Sequence, residues 1–223
     1  MGREREKAVQ TSESFLLASV LALSGGLQDA YTYNVRGRVF ANAQTGNIVL
    51  MSQDIMTGRW ADGLRYLAPV VAFVLGILLA ELIRRGWRNE RRLHWRQAVL
   101  LCEIAVLAAV GFLPESADPA AAMLVSFSCA MQVEAFRKIH GYGYASTMCI
   151  GNLRSGTEEL FHYLRGRERA HGRKALYYYG IILMFAVGAG AGGLASLYLG
   201  RGAVWLSCAL LAAASLLMIR EYR

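Results

Sequence analysis

This sequence predicts an all-α integral membrane protein, and three observations carry that prediction. The chain of 223 residues is 55% hydrophobic and only 18% charged, where an ordinary soluble domain carries about 25% charged residues. The charge is also segregated, with apolar windows of spanning length alternating with short basic tracts. That is the mark of a multi-pass protein obeying the positive-inside rule. Finally, two polar passages containing glycine interrupt the apolar run, Phe40-Ala-Asn-Ala-Gln-Thr-Gly-Asn47 and Tyr144-Ala-Ser-Thr-Met-Cys-Ile-Gly-Asn152. Backbone leaves the helix at membrane depth only where protein buries it or a watery cavity meets it.

The elements follow in order. Residues 1–13 read as a solvated cytoplasmic tail. The segment 15–35 begins like a secretory signal, basic and then apolar. Its helical pattern continues through Gln28-Asp29-Ala30-Tyr31 to the ~20 residues a span needs. Residues 39–58 hold too many polar groups for a helix facing lipid on all sides. The span 64–83 places Ala72, Gly76 and Ala80 four residues apart, which lets two helix backbones approach closely in lipid. The tract 84–96 has six arginines against one glutamate and is predicted to be cytoplasmic. The span 97–113 leads to the turn Pro114-Glu-Ser-Ala-Asp-Pro119, which has two acids and no base and suits the external face. The span 120–136 returns to Arg137-Lys138. The second polar segment, 142–164, is followed by a tract at 165–174 with five bases against one acid. Spans 175–199 and 203–219 complete the chain, and Arg220 and Arg223 keep its end inside.

Both flanks of 142–164 are basic, so that segment enters and leaves by one face. The same reading of 39–58 gives six spans and two re-entrant or broken helices. The alternative is eight spans, in which both polar segments cross fully. Internal matches support two halves, 14–113 and 120–223, joined by the external turn 114–119. Gln28 and Gly37 match Gln132 and Gly141 at an offset of 104 residues, and Gly46-Asn47 matches Gly151-Asn152 at 105. Gly58-Arg59 matches Gly166-Arg167 at 108, and Gly76 with Ala80 matches Gly188 with Gly192 at 112. Three spans per half makes the repeats inverted, as in many transporters; four per half makes them parallel.

The order Gly26-Leu-Gln-Asp-Ala30, Val39-Phe40, Gln44-Thr-Gly-Asn47 and Thr147-Met-Cys-Ile-Gly-Asn-Leu-Arg-Ser155 resembles the YoaK-like family of small bacterial multi-pass membrane proteins of unknown function. The resemblance runs from about Ser14 to about Arg220. It implies a bacterial plasma (inner) membrane location and supplies no substrate or reaction. Ile150 stands where the second motif usually has threonine, so the two motifs are chemically unequal.

The net charge of +8 lies in tracts flanking spans rather than on one face, which excludes the nucleic-acid-binding class. Cys102, Cys129, Cys149 and Cys208 sit in apolar stretches without C-x-x-C spacing and read as small buried hydrophobes. The four histidines have no paired ligand spacing, so no metal is predicted, and no cofactor either. Motifs of hydrolases, zinc proteases, nucleotide-binding loops and dinucleotide folds are absent.

The candidate substrate or ion pathway is Gln28, Asp29, Gln44, Thr45 and Asn47 facing Gln132, Glu134 and Asn152, with Gly46 and Gly151 as the helix-break glycines. An acid inside a span is a functional hypothesis by default; the bland reading of Asp29 is a solvated interfacial position. Gln28 and Gln132 serve equally as interhelical hydrogen-bonding residues. Asn47 and Asn152 either offer amides to a ligand or satisfy their own broken backbone. Glu81 and Glu103 lie near the tract 84–96, where local ion pairs are expected. The function expected is a secondary transporter or channel-like permease for a small polar or anionic solute. The alternatives are a non-catalytic membrane assembly partner and a membrane enzyme acting on a lipid-derived substrate. The partners expected are the lipid bilayer and the solute, with room for a homo-oligomer, and both termini are placed in the cytoplasm.

Overall fold

Ser14 begins the bundle. Its hydroxyl accepts the Leu17 N–H at 3.2 Å and caps α1 (Phe15–Val35), satisfying one of the donors a helix start leaves open. The computed structural model describes residues 13–87 and 94–219. Residues 1–12 of the tail, the middle of the basic tract 84–96, and Arg220 and Arg223 therefore lie outside the described residues. After α1 come α2 (Gln44–Met56), α3 (Trp60–Gly86), α4 (Trp95–Val110) and α5 (Asp118–Ala135). A two-residue hairpin pairs β1 (Lys138–Ile139) with β2 (Tyr142–Gly143), and α6 (Cys149–Gly166), α7 (Arg169–Leu199) and α8 (Val204–Ile219) follow.

Two gatherings of residues mark opposite ends of the bundle. At one, the Glu13 carbonyl accepts the His140 N–H at 2.8 Å and its carboxylate lies 3.9 Å from Arg96. Phe15 packs on Tyr177 with ring centroids 5.5 Å apart. This collects the starts of α1 and α4, the end of α5 and the first third of α7. At the other end Arg36, just past α1, donates to the carbonyls of Val110 and Leu113 and pairs with Asp118 at 2.8 Å. Arg201 donates to the same Leu113 carbonyl at 3.2 Å, which brings in the α7–α8 junction.

The polar segments behave alike. Beyond Arg36 the chain turns through Gly37 (φ +79°) and Arg38 (φ +59°) and runs back alongside α1. It reaches the level of Gly25, whose carbonyl accepts from the Asn42 side chain at 3.1 Å. That is about 15 Å below the end of α1, at 1.5 Å per helical residue. Helix α2 then returns outwards and turns at Gly58 (φ +82°) into α3. In the second half the hairpin turn is made by His140 (φ +48°) and Gly141 (φ +81°). Positive φ at both central residues matches the right-handed twist of the flanking strands. The chain then runs inwards until Thr147 lies beside Gly25, where a Cβ on that glycine would fall 2.5 Å from the Thr147 methyl group. Helix α6 returns to the Glu13 end. The two half-helices thus start near one level after coming from opposite ends.

This arrangement sets the bounds of both polar segments and corrects one sequence expectation. Within 39–58 only 44–56 is helical, and within 142–164 the helix begins at Cys149. Gly46 and Gly151 are not where the helix breaks. Both lie inside the first turn of a helix, and Gly151 has open space around it. The reversals are made by Gly37 and Gly141, where a left-handed backbone favours glycine.

Helix α1 packs on α7 as α5 packs on α3, α2 on α3 as α6 on α7, and α8 on α1 as α4 on α5, while α4 meets α8. Exchanging the first four helices for the last four reproduces this pattern. The close approaches follow it too. A Cβ on Gly76 would fall 2.3 Å from the Phe127 carbonyl oxygen, and one on Gly188 would fall 2.1 Å from that of Leu23.

Side chains are sorted inside out. On α3 the buried residues include Gly63, Ala72, Gly76 and Ala80, whereas Leu64, Leu75, Leu78 and Leu82 are exposed. On α7 Gly188, Gly192 and Ser196 are buried and Leu183, Leu194 and Leu197 face out. A soluble protein would do the opposite; in lipid, small residues make the helix contacts. Trp60–Gly86 and the continuous stretch Arg169–Met218 are long and apolar enough to cross a membrane. Replacing Gly188 by Ala is expected to lower stability by about 1–3 kcal/mol through overpacking. Gly190→Ala, with nothing within 4 Å, is expected to leave it unchanged. Thermal unfolding of both purified variants in detergent checks the pair.

Candidate functional site

Polar residues at helical spacing on α1, Ser24, Gln28, Asp29 and Thr32, are all buried. On α5 Ser128, Cys129 and Gln132 are buried as well. The side chain of Gln28 donates to Ser24 at 2.9 Å and accepts from the Cys129 thiol at 2.7 Å. In return Gln132 reaches from α5 to the Leu21 carbonyl of α1 at 3.2 Å and to Ser146 of the second polar passage at 2.9 Å. Each glutamine therefore crosses between α1 and α5, the interhelical role open to it from sequence. The Gln132 amide oxygen has no partner.

Asp29 is not the solvated side chain of the bland reading. It is 8% exposed, and its carboxylate accepts the Asn42 N–H at 2.8 Å, so it holds the inner tip of the first passage. Among the described residues no arginine pairs with it: Arg36 folds towards Asp118 instead. The asparagines work in the same manner. The Asn47 side chain donates to the Phe40 carbonyl at 2.8 Å, and Asn152 donates to the Ala145 carbonyl at 2.7 Å. Both bonds reach back seven residues, from the first turn of a half-helix to the extended strand before it. A carbonyl on that strand would otherwise be left unsatisfied away from water. The Asn47 side chain also donates to Gln44, which in turn donates to Ser126 of α5 and to the Ala41 carbonyl, both at 2.8 Å.

Not every expected residue shares this interior. Thr45 is exposed, as is Gly151, and Gly46 is half-buried. Glu134 is 3.1 Å from Arg137 and approaches Glu81 of α3, away from Asp29. It does share a cleft of about 430 Å³ with Arg137, Tyr144, Gly151, Asn152 and Ser155. Gln28, Asp29, Gln44 and Asn47 lie elsewhere, around the first passage. The two halves of the expected pathway are joined through Gln132, which touches α1 and Ser146 alike.

The expected ion pairs divide. Glu81 pairs with Arg84 at 2.8 Å, but Glu103 is fully buried and among the described residues neither of its carboxyl oxygens has a partner. Its proximity in sequence to the arginines misled, because the helical phase turns it into the bundle beside Val99, Leu100 and Leu107. Arg36 is the other residue whose importance the sequence did not reveal. The acids of the turn 114–119 were its signal, since Asp118 is its partner. Among the described residues no cluster of three ligating side chains is placed to hold a metal ion.

A helical bundle with leucine outside and glycine inside belongs to the integral membrane proteins. The chain itself belongs to a family of proteins of unknown function, DUF1275, whose model matches residues 17–217. It is 28% identical over 151 residues to the UPF0700 transmembrane protein YoaK of Bacillus subtilis (strain 168). That match covers 65% of this chain and 66%, just under two thirds, of the relative's length. The YoaK-like resemblance read from the Gly-Asn motifs is thereby shown, and a membrane location with it. No solved structure matches the chain.

Replacing Asn47 or Asn152 by Leu leaves a carbonyl without its donor, and each change is expected to cost about 1–3 kcal/mol. Thr45→Ala, on the outward face, should be neutral. Unfolding midpoints in detergent compare the three; equal midpoints would show that the asparagines do not hold the passages.

Proposed function

We propose that the protein is a permease, a secondary transporter or channel, for a small polar or anionic solute in the bacterial inner membrane. The observation that carries this reading is the meeting of two half-helix starts near Gly25 from opposite ends of the bundle. Neither start has a side-chain cap, so backbone N–H groups and the positive ends of both helix dipoles point inwards, where they attract anions. Broken helices that aim their ends at a midplane site are how many transporters bind solutes. Gln28, Asp29, Gln44 and Asn47 would serve the first half of the path and Gln132, Glu134 and Asn152 the second. The cleft beside Asn152 would be the way in.

The membrane arrangement that goes with this reading is six spans (α1, α3, α4, α5, α7, α8) with α2 and α6 re-entrant from opposite faces. Repeats 14–113 and 120–223 are then inverted, and the exchange symmetry of the helix contacts favours the pairing. The Glu13 end carries both ends of the tract 84–96 and the tract 165–174, so it is the cytoplasmic face by the positive-inside rule. Arg36, Arg38 and Arg59, which this places outside, count against it; Arg38 lies over the Tyr33 ring, and the other two have acidic partners. Arg36 pairs with Asp118 and Arg59 with Asp54.

Single cysteines at 37 and 61 should label from outside the cell, and those at 141 and 170 from inside. Labelling of 37 and 61 from opposite sides would remove the re-entrant segment and the inversion with it. In proteoliposomes Asp29→Asn is expected to reduce uptake of chloride, phosphate or acetate at least tenfold without loss of protein. If the wild-type chain moves none of these anions, the anion permease reading fails. Stoichiometric co-purification of another membrane subunit would then favour an assembly partner.

A further inference from the structure

Glu103 takes no part in the pathway above. It is the ninth residue of the sixteen in α4, about 10–12 Å from either helix end at 1.5 Å per residue. It is 0% exposed, and both carboxyl oxygens are without a hydrogen-bond partner. Its own helix face is apolar, with Val99, Leu100 and Leu107 fully buried in the same cluster. An ionised carboxylate with neither a cation nor a donor is costly in such surroundings. Packing alone does not account for an acid here, since an apolar side chain of similar volume would fill the space without an unpaired polar group.

The groups around it define a connection. On α5 the Cys129 thiol is close enough to interact electrostatically with both Glu103 and Asp29, and it donates to Gln28, the neighbour of Asp29. The remaining titratable groups nearby are Cys102 on its own helix and Cys208 of α8, whose thiol points to the Ile104 carbonyl. Helix α3 brings Arg84 only to the Trp95 end of α4. Among the described residues no cation pairs with Glu103.

We propose that Glu103 is a proton-binding site, loaded and unloaded as the bundle opens to one face and then the other, and that solute movement is coupled to it. The chemistry is one proton taken from water by the carboxylate and returned to water from the carboxyl. Because Glu103 is sealed, exchange requires the contacts of α4 with α8 and α5 to loosen, which ties protonation to conformation. The coupling clause rests on the permease reading; the proton site does not.

Infrared difference spectra of the full chain in lipid nanodiscs, taken between acid and alkaline pH, test the site without a solute. The wild-type protein should show a carboxyl C=O band lost at alkaline pH, absent in Glu103→Gln and retained in Asp29→Asn. If the Gln variant does not fold, Glu103→Asp should shift the band rather than remove it. A Glu103 band that stays constant wherever the protein is folded would identify a locked structural carboxyl and overturn the proposal. The absence of any Glu103 band would show an ionised group and overturn it equally. A hydrophobic carbodiimide should modify wild-type protein at Glu103 faster at acid than at alkaline pH. Coupling is read in proteoliposomes with chloride, phosphate and acetate as probes, where Glu103→Gln should lose the dependence of uptake on the direction of an imposed pH gradient. A band that titrates while none of these anions moves keeps the proton site and removes the anion permease reading. Anion uptake with a locked band does the reverse.

Discussion

The structure depends on satisfying backbone that leaves the helix inside an apolar bundle. Two passages do so, at 37–43 and 144–148, and every hydrogen bond they forgo as helix must be found elsewhere. Asp29 accepts from Asn42, Asn47 and Asn152 donate to Phe40 and Ala145, and Gln132 donates to Ser146. These are the residues that first drew notice as pathway candidates. Their primary work is to hold the passages open at a fixed level, and a solute site formed by the half-helix starts would depend on that work.

Close packing gives these polar bonds their reach. Glycine at 76 and 188 lets α3 and α7 lie against the carbonyls of α5 and α1, leaving space for Gln28 and Gln132 to cross between α1 and α5. In lipid, dispersion contacts and interhelical hydrogen bonds replace the hydrophobic drive of a soluble core. The leucines displaced to the outside meet the bilayer at no cost. Arg36 serves the same economy at one end of the bundle. Fully buried, it satisfies the last carbonyl of α4, the Leu113 carbonyl just beyond it and the carboxylate of Asp118 together, which fixes the end of α1 to the junction between the two halves. Charge is thus kept mostly at the ends of the bundle, the exceptions being Asp29, which the Asn42 N–H answers, and Glu103. Glu103 sits mid-helix with no hydrogen-bond partner among the described residues, sealed by the packing around it.

By itself, the sequence determined what composition and local pattern control. Charge segregation defined the class, the small-residue spacing at Ala72, Gly76 and Ala80 marked a real crossing, and the Gly-Asn motifs marked the two polar passages. These were legible because each depends on residues near one another in the chain. Only the tertiary structure decided which groups answer one another. That Gly37 and Gly141, not Gly46 and Gly151, reverse the chain depends on φ angles that sequence spacing does not set. That Arg36 meets Asp118, 82 residues away, and that Glu103 finds no hydrogen-bond partner among the described residues, depends on helical phase and on which helix packs opposite. A span shows its hydrophobicity in one dimension, but the partner of a buried charge is a fact of three.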